Sequence, residues 1–181
     1  MVEVYTDVEF DANVTNLVFS HCDSSYHYGL WCKNKHMLRM WQSPRYRSVK
    51  WFVRANDDSY YHLENMHDYL SKLDHTQSIV IGEQFCADAP WHCIYPSGGP
   101  GIIVSRGFVD TMNWDAWDSP LKKKLKIGRF FEDVLWGRYM NDTGDVTFIQ
   151  HNGVSQDALT PNSFLMNIFL QYRDKPWPFP F

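Results

Sequence analysis

Short apolar runs alternate along this chain with stretches whose apolar residues recur every third or fourth position. The runs are Val2-Glu3-Val4-Tyr5, Asn16-Leu17-Val18-Phe19, Val49-Lys50-Trp51-Phe52-Val53, Ser78-Ile79-Val80-Ile81-Gly82, Ile102-Ile103-Val104 and Val146-Thr147-Phe148-Ile149. Each is bounded by polar or turn-forming residues and is too short for a helix, so each predicts a strand. Leu30, Met37 and Trp41 share one face of a helix expected over 26–41, which Ser43-Pro44 ends because proline cannot continue it. Leu63, Met66, Leu70 and Leu73 recur at helical spacing, and Glu132 to Met140 reads as a short helix with acids at its start. Strands alternating with helices predict an α/β fold, a mixed sheet flanked by helices. No internal repeat, low-complexity segment or linker interrupts it, so residues 1–175 read as a single domain. Residues 176–181 hold three prolines and read as an irregular tail.

Composition narrows the function. The chain has 181 residues, 44% hydrophobic and 21% charged, which suits a globular protein and not a disordered one. Its 17 Lys+Arg against 21 Asp+Glu leave a net charge of -4. A nucleic-acid partner or an anionic membrane surface would call for a basic face instead. No apolar run spans a bilayer, and the first ten residues do not read as a signal peptide. Aromatics reach 17%; such rings stack on sugars and bases, but for Trp91, Trp114, Trp117 and Trp136 core packing is the simpler reading. Cys22, Cys32, Cys86 and Cys93 form two local pairs without the tighter CxxC spacing of zinc sites. Either disulfides close those short loops or the thiols are buried in a reduced protein. Sequons at Asn13-Val14-Thr15 and Asn141-Asp142-Thr143 tilt the balance toward a secretory compartment.

The segment Trp51 to Tyr60 carries the chemistry. A buried strand leads straight into Asn56-Asp57-Asp58, and open α/β sheets bind ligands beyond the carboxyl ends of their strands. Oxygen ligands suit hard divalent cations such as Mn2+ and Mg2+. On spacing alone, the acids equally serve a helix N-terminus, whose dipole favours them. Gly98-Gly99-Pro100-Gly101 reads as a tight turn or as a place where backbone approaches a ligand. Glu132-Asp133 before an apolar run most simply caps its helix. Lys122-Lys123-Lys124 reads as a solvated loop.

These segments, taken in order, resemble the Fringe-type beta-1,3-glycosyltransferases, a group that includes the core 1 galactosyltransferases. The family's W-F-x-x-x-D-D-D-x-Y segment is matched by Trp51 to Tyr60. Tyr5-Thr6-Asp7 is similar to the family's F-T-D strand end, and Cys32-Lys33-Asn34 to its C-K-M. Gly98-Gly99-Pro100-Gly101 with Ser105-Arg106 resembles G-G-A-G…S-R, and Glu132-Asp133-Val134 with Gly137 resembles E-D-V…G. His151, after Phe148, lies near the family's late F-H position, and the resemblance covers residues 4–155.

The resemblance implies a GT-A-like, Rossmann-like fold in the Golgi or secretory-pathway lumen. It implies an inverting hexosyltransferase that uses Mn2+, or Mg2+, to move GlcNAc or Gal from a UDP-sugar to a glycan or O-linked glycopeptide. Asp133 would be the general base. Asp58 and His151 would ligate the metal, with Asn56 offering an amide oxygen at the first acid position. Asp7, Asp57, Gly98, Gly99 and Glu132 would line the donor and acceptor sites. Cys22 and Cys32 fall where the family places a local disulfide.

The match departs from the family at three points. Asn56 removes one negative charge from the metal site. Pro100 fixes φ and removes an amide donor from the glycine loop. The family has an earlier βα unit, a stem and a membrane anchor ahead of the position where this chain starts, so a fold lacking the first βα unit is expected. These departures motivate an alternative: a non-catalytic relative or fragment that binds glycoprotein or assists another transferase.

Overall fold

The computed structural model describes residues 4–6, 17–22, 28–56, 59, 61–85, 95–122 and 132–150. Its strands and helices in chain order are β1 (Val4–Thr6), β2 (Leu17–Phe19), α1 (Tyr28–Trp41), β3 (Trp51–Arg54), α2 (Leu63–Leu70), β4 (Ile79–Gly82), β5 (Gln84–Phe85), β6 (Tyr95–Pro96), β7 (Ile102–Ser105), α3 (Arg106–Asp110), α4 (Trp114–Lys122), α5 (Glu132–Thr143) and β8 (Thr147–Gln150). The central sheet has the order β3-β7-β4-β8. Strand β7 runs antiparallel to both neighbours, pairing Arg54 with Ile102 and Ile81 with Ile103, while β8 runs parallel to β4. This is the expected mixed-sheet α/β fold, compatible with a GT-A-like domain. Strands β1 and β2 form a separate parallel pair, and β5 and β6 an antiparallel one.

Period-two alternation along the strands splits the core into two layers. Phe52, Val80, Ile102 and Val104 face Trp31, Leu38, Trp41, Phe108, Trp117 and Trp136 from α1, α3, α4 and α5. Ile79, Ile81 and Ile103 face Leu70, with Met66 and Leu73 packed alongside. The sheet is thus covered on both sides, which is why β4 and β7 are buried at every position. Trp31 stacks on Trp117 with ring centroids 4.0 Å apart, and Trp117 meets Trp136 edge-on at 5.2 Å. Trp117 and Trp136 therefore serve the core, as composition suggests; Trp91 lies outside the described residues.

The first helix ends where expected, and the ends of the others follow local contacts. Helix α1 ends at Trp41, and Pro44 begins a single 3-10 turn, Pro44–Tyr46. Leu63 opens α2 but is 68% exposed, because the packed stripe begins one turn later at Met66. Helix α3 has only five residues, too few to show a period, and is set by Ser105, whose Oγ accepts the Phe108 N–H at 3.0 Å. The Ser105-Arg106 match is a scaffold. Ser105 also holds Ile79 N and Gln77 O, and the Arg106 guanidinium binds the carbonyls of Trp41, Tyr46 and Val49 beneath the Phe52 ring. Cys22 and Cys32 form a disulfide whose Cα atoms are 5.8 Å apart. Cys86, Cys93, the Asn13 sequon, Lys123, Lys124 and the tail lie outside the described residues.

Candidate active site

Pairing directions bring several chain segments to one end of the central sheet. Strands β3, β4 and β8 end there, at Arg54, Gly82 and Gln150, while β7 starts there at Ile102. The glycine loop immediately precedes β7, and the first turn of α5 packs against it.

The exit of β3 and the glycine loop are stitched together by side chains. Arg54 Nη1 donates to the Gly98 carbonyl at 2.5 Å. Asn56 Nδ2 donates to the carbonyls of Gly98 and Gly99 at 3.2 and 3.3 Å. Ser59 Oγ donates to Gly99 O at 3.2 Å, and Tyr61 Oη to Pro100 O at 2.5 Å. The loop closes on itself through Gly101 N and Gly98 O. The consecutive carbonyls of Gly98, Gly99 and Pro100 are thus met by side-chain donors at positions 54, 56, 59 and 61, in and just after β3. Burial pushes the Tyr61 phenol up, which keeps it protonated as a donor, although the Arg54 charge pulls the other way. Gly101 has a φ of +95°, and a Cβ there would lie 2.6 Å from the Arg54 carbonyl and strike Tyr61 Oη, so only glycine fits. Pro100 is accommodated because its missing N–H is not asked for: its carbonyl is the group used.

Glu132 and Asp133 begin α5. Glu132 is buried, and its Oε1 accepts from Arg54 Nη2 at 2.6 Å. Burial raises its carboxyl above the ordinary range, the Arg54 guanidinium lowers it, and the neighbouring Asp133 charge raises it again. Asp133 is half-buried. Its Oδ1 accepts the Val134 N–H at 2.8 Å and its Oδ2 lies 3.4 Å from Gly98 N.

Among the expected site residues, the structure brings Asn56, Gly98, Gly99, Glu132 and Asp133 together. Asn56 makes its amide nitrogen a loop stitch, leaving only Oδ1 for any ligand. Glu132 turns its carboxylate to Arg54. Asp7, Asp57, Asp58 and His151 lie outside the described residues; Asn56 and Ser59, which flank the two acids, both bind the glycine loop. Arg54, Ser59 and Tyr61 carry no flag from spacing alone. A usable signal was present in Arg54, a charged residue closing a run of otherwise apolar strand positions.

A family profile described as Fringe-like matches residues 3–156. The chain belongs to the Fringe-like family. A Fringe-like relative, the beta-1,3-N-acetylglucosaminyltransferase lunatic fringe of Gallus gallus, is 26% identical over 161 residues, covering 81% of this chain and 43% of its own length. The chain therefore spans less than half the length of that curated relative. No helix among its described residues is long and apolar enough to cross a membrane.

Proposed function

We propose that this Fringe-like chain carries the acceptor-activating side of an inverting beta-1,3-glycosyltransferase. It would move GlcNAc or Gal from a UDP-sugar to a hydroxyl of a glycan or O-linked glycopeptide. The observation that supports this most is the meeting of Asp133 with the Gly98 loop at the end of the sheet where β3 ends. The lunatic fringe relative is named for beta-1,3-N-acetylglucosaminyl transfer, which favours GlcNAc among donors.

In this reaction an acceptor oxygen attacks the anomeric carbon as the bond to UDP breaks, and UDP leaves with the electron pair. Asp133 takes the proton of the attacking hydroxyl at its carboxylate. Its bonds to Val134 N and Gly98 N hold the carboxylate in place and leave lone pairs for that proton. Gly98 and Gly99 let backbone and substrate approach closely. The donor set of Asp58, His151 and the Asn56 amide oxygen suits Mn2+ or Mg2+, and these residues would hold it. When bound, such a cation stabilises charge developing on the leaving diphosphate. The Cys22–Cys32 disulfide suits an oxidising Golgi or secretory lumen.

Transfer from UDP-GlcNAc and UDP-Gal, with Mn2+ or with chelator, tests the reading. Metal-dependent transfer that Asp133→Ala abolishes while UDP binding survives is the expected result. Absence of transfer with both donors counts against it. One observation favours a second reading, a non-catalytic glycoprotein-binding relative: the Asn56 amide is engaged with the loop where the family pattern has an acid. UDP binding that is weak and indifferent to Mn2+ would support that reading.

A further inference from the structure

Arg54 is 8% exposed, and its two terminal nitrogens serve different partners. Nη1 reaches the Gly98 carbonyl at 2.5 Å and Nη2 reaches Glu132 Oε1 at 2.6 Å. Each partner is one step from Asp133. Glu132 precedes it in the first turn of α5, and the Gly98 amide lies 3.4 Å from its Oδ2. The arrangement closes only because position 98 has no side chain. A Cβ there would lie 2.9 Å from Glu132 Oε1 and 3.3 Å from Arg54 Nη1. Gly98 is absent from the positive-φ glycines, which among the described residues are Gly101 and Gly144. Glycine at 98 therefore supplies room for the clamp and not an unusual backbone conformation.

We propose that Arg54 is a positioning residue for Asp133: its guanidinium clamps Gly98 to Glu132 and so fixes the carboxylate that faces the acceptor. The proposal rests on the reading of Asp133 as the general base. Two parallel arms explain the choice of arginine. The planar guanidinium presents separate N–H donors to two acceptors at once, whereas a lysine ammonium is a single point that satisfies one well. Loss of the clamp leaves Asp133 on its helix but frees its contact with the Gly98 amide, and a misplacement of this kind weakens proton transfer more than donor binding.

Two variants of the full chain test it, Arg54→Lys and the double Arg54→Met/Glu132→Leu. The double variant removes both buried charges together, so it separates the clamp from the cost of an unpaired charge. Both are expected to lower kcat for transfer by about tenfold to a hundredfold, with the donor KM changed by less than about twofold. Hydrogen exchange at the Gly98 amide should be at least about tenfold faster in both, while the urea midpoint of the double variant stays close to that of the parent. The proposal is overturned if the double variant keeps the parental kcat and Gly98 protection, or if the loss falls on KM with kcat intact. If the parent chain transfers from neither donor, the reading of Asp133 fails separately. The clamp then stands or falls on exchange alone, and unchanged Gly98 protection in Arg54→Lys overturns it.

Discussion

Replacing Arg54 by methionine leaves the Glu132 carboxylate buried at 6% exposure without its counter-ion. Methionine keeps much of the stem volume, so the change is mainly electrostatic. Breaking a buried pair by removing one partner costs about 3–5 kcal/mol, because the remaining charge is stranded away from water. The size should depend on pH. Burial already lifts the Glu132 carboxyl above its ordinary 4.5, against the pull of Arg54. A carboxyl titrating higher in the folded state than in the unfolded one contributes stability fully below the unfolded value. That contribution is lost as pH rises through the folded value, since the unfolded chain ionises more easily. Removing Arg54 deletes the influence that holds the carboxyl down, which deepens the loss at the alkaline end. Urea unfolding of Arg54→Met should therefore show the full penalty near about pH 7.5. At acidic pH, as the folded carboxyl takes up its proton, the penalty should shrink toward about 0.5–1.5 kcal/mol for the lost Arg54–Gly98 hydrogen bond, since the Gly98 carbonyl still accepts from Asn56 Nδ2 and Gly101 N. Arg54→Met/Glu132→Leu should regain most of the loss and flatten the pH dependence. Equal destabilisation at both pH values, with no recovery in the double variant, would refute the electrostatic account.

Asn56→Asp restores the family acid but turns a donor into an acceptor facing the Gly98 and Gly99 carbonyls, and it should destabilise by about 1–3 kcal/mol in urea melts. Unchanged stability would show that the amide contacts do not hold the loop. Gly101→Ala meets both a φ of +95° and a collision with the Arg54 carbonyl and Tyr61, so its Tm should fall far more than that of Gly144→Ala. The latter has a φ of +70° but no atom within 4 Å of the new Cβ, and should cost only about 1 kcal/mol. Reduction of Cys22–Cys32, at a sequence separation of 10, should lower stability by about 2–3 kcal/mol through the freed loop, read by denaturation with and without dithiothreitol.

What the order of residues determined by itself was the alternation of elements and the chemistry carried at their ends. The apolar runs at Trp51–Val53, Ile79–Ile81 and Ile102–Val104 are strands, and the three-and-four spacing through Met66 and Leu70 is a helix, because burial on a pleated or helical surface imposes those periods locally. Helix α3 and the two-residue strands β5 and β6 escaped notice because they hold too few residues to complete a period. The glycine loop, Asn56 and the Glu132-Asp133 pair were each visible as local oddities, but their partnership was not. Residues 54, 98 and 132 are separated by 44 and 78 positions along the chain for the two bonds that join them. Only the antiparallel register of β3 on β7, and the packing of α5 across that sheet end, make Arg54 reach both. Tertiary structure likewise gave Asn56 its work as a donor and Glu132 its guanidinium partner, since a buried polar group takes whichever complementary atom the fold brings within hydrogen-bond reach.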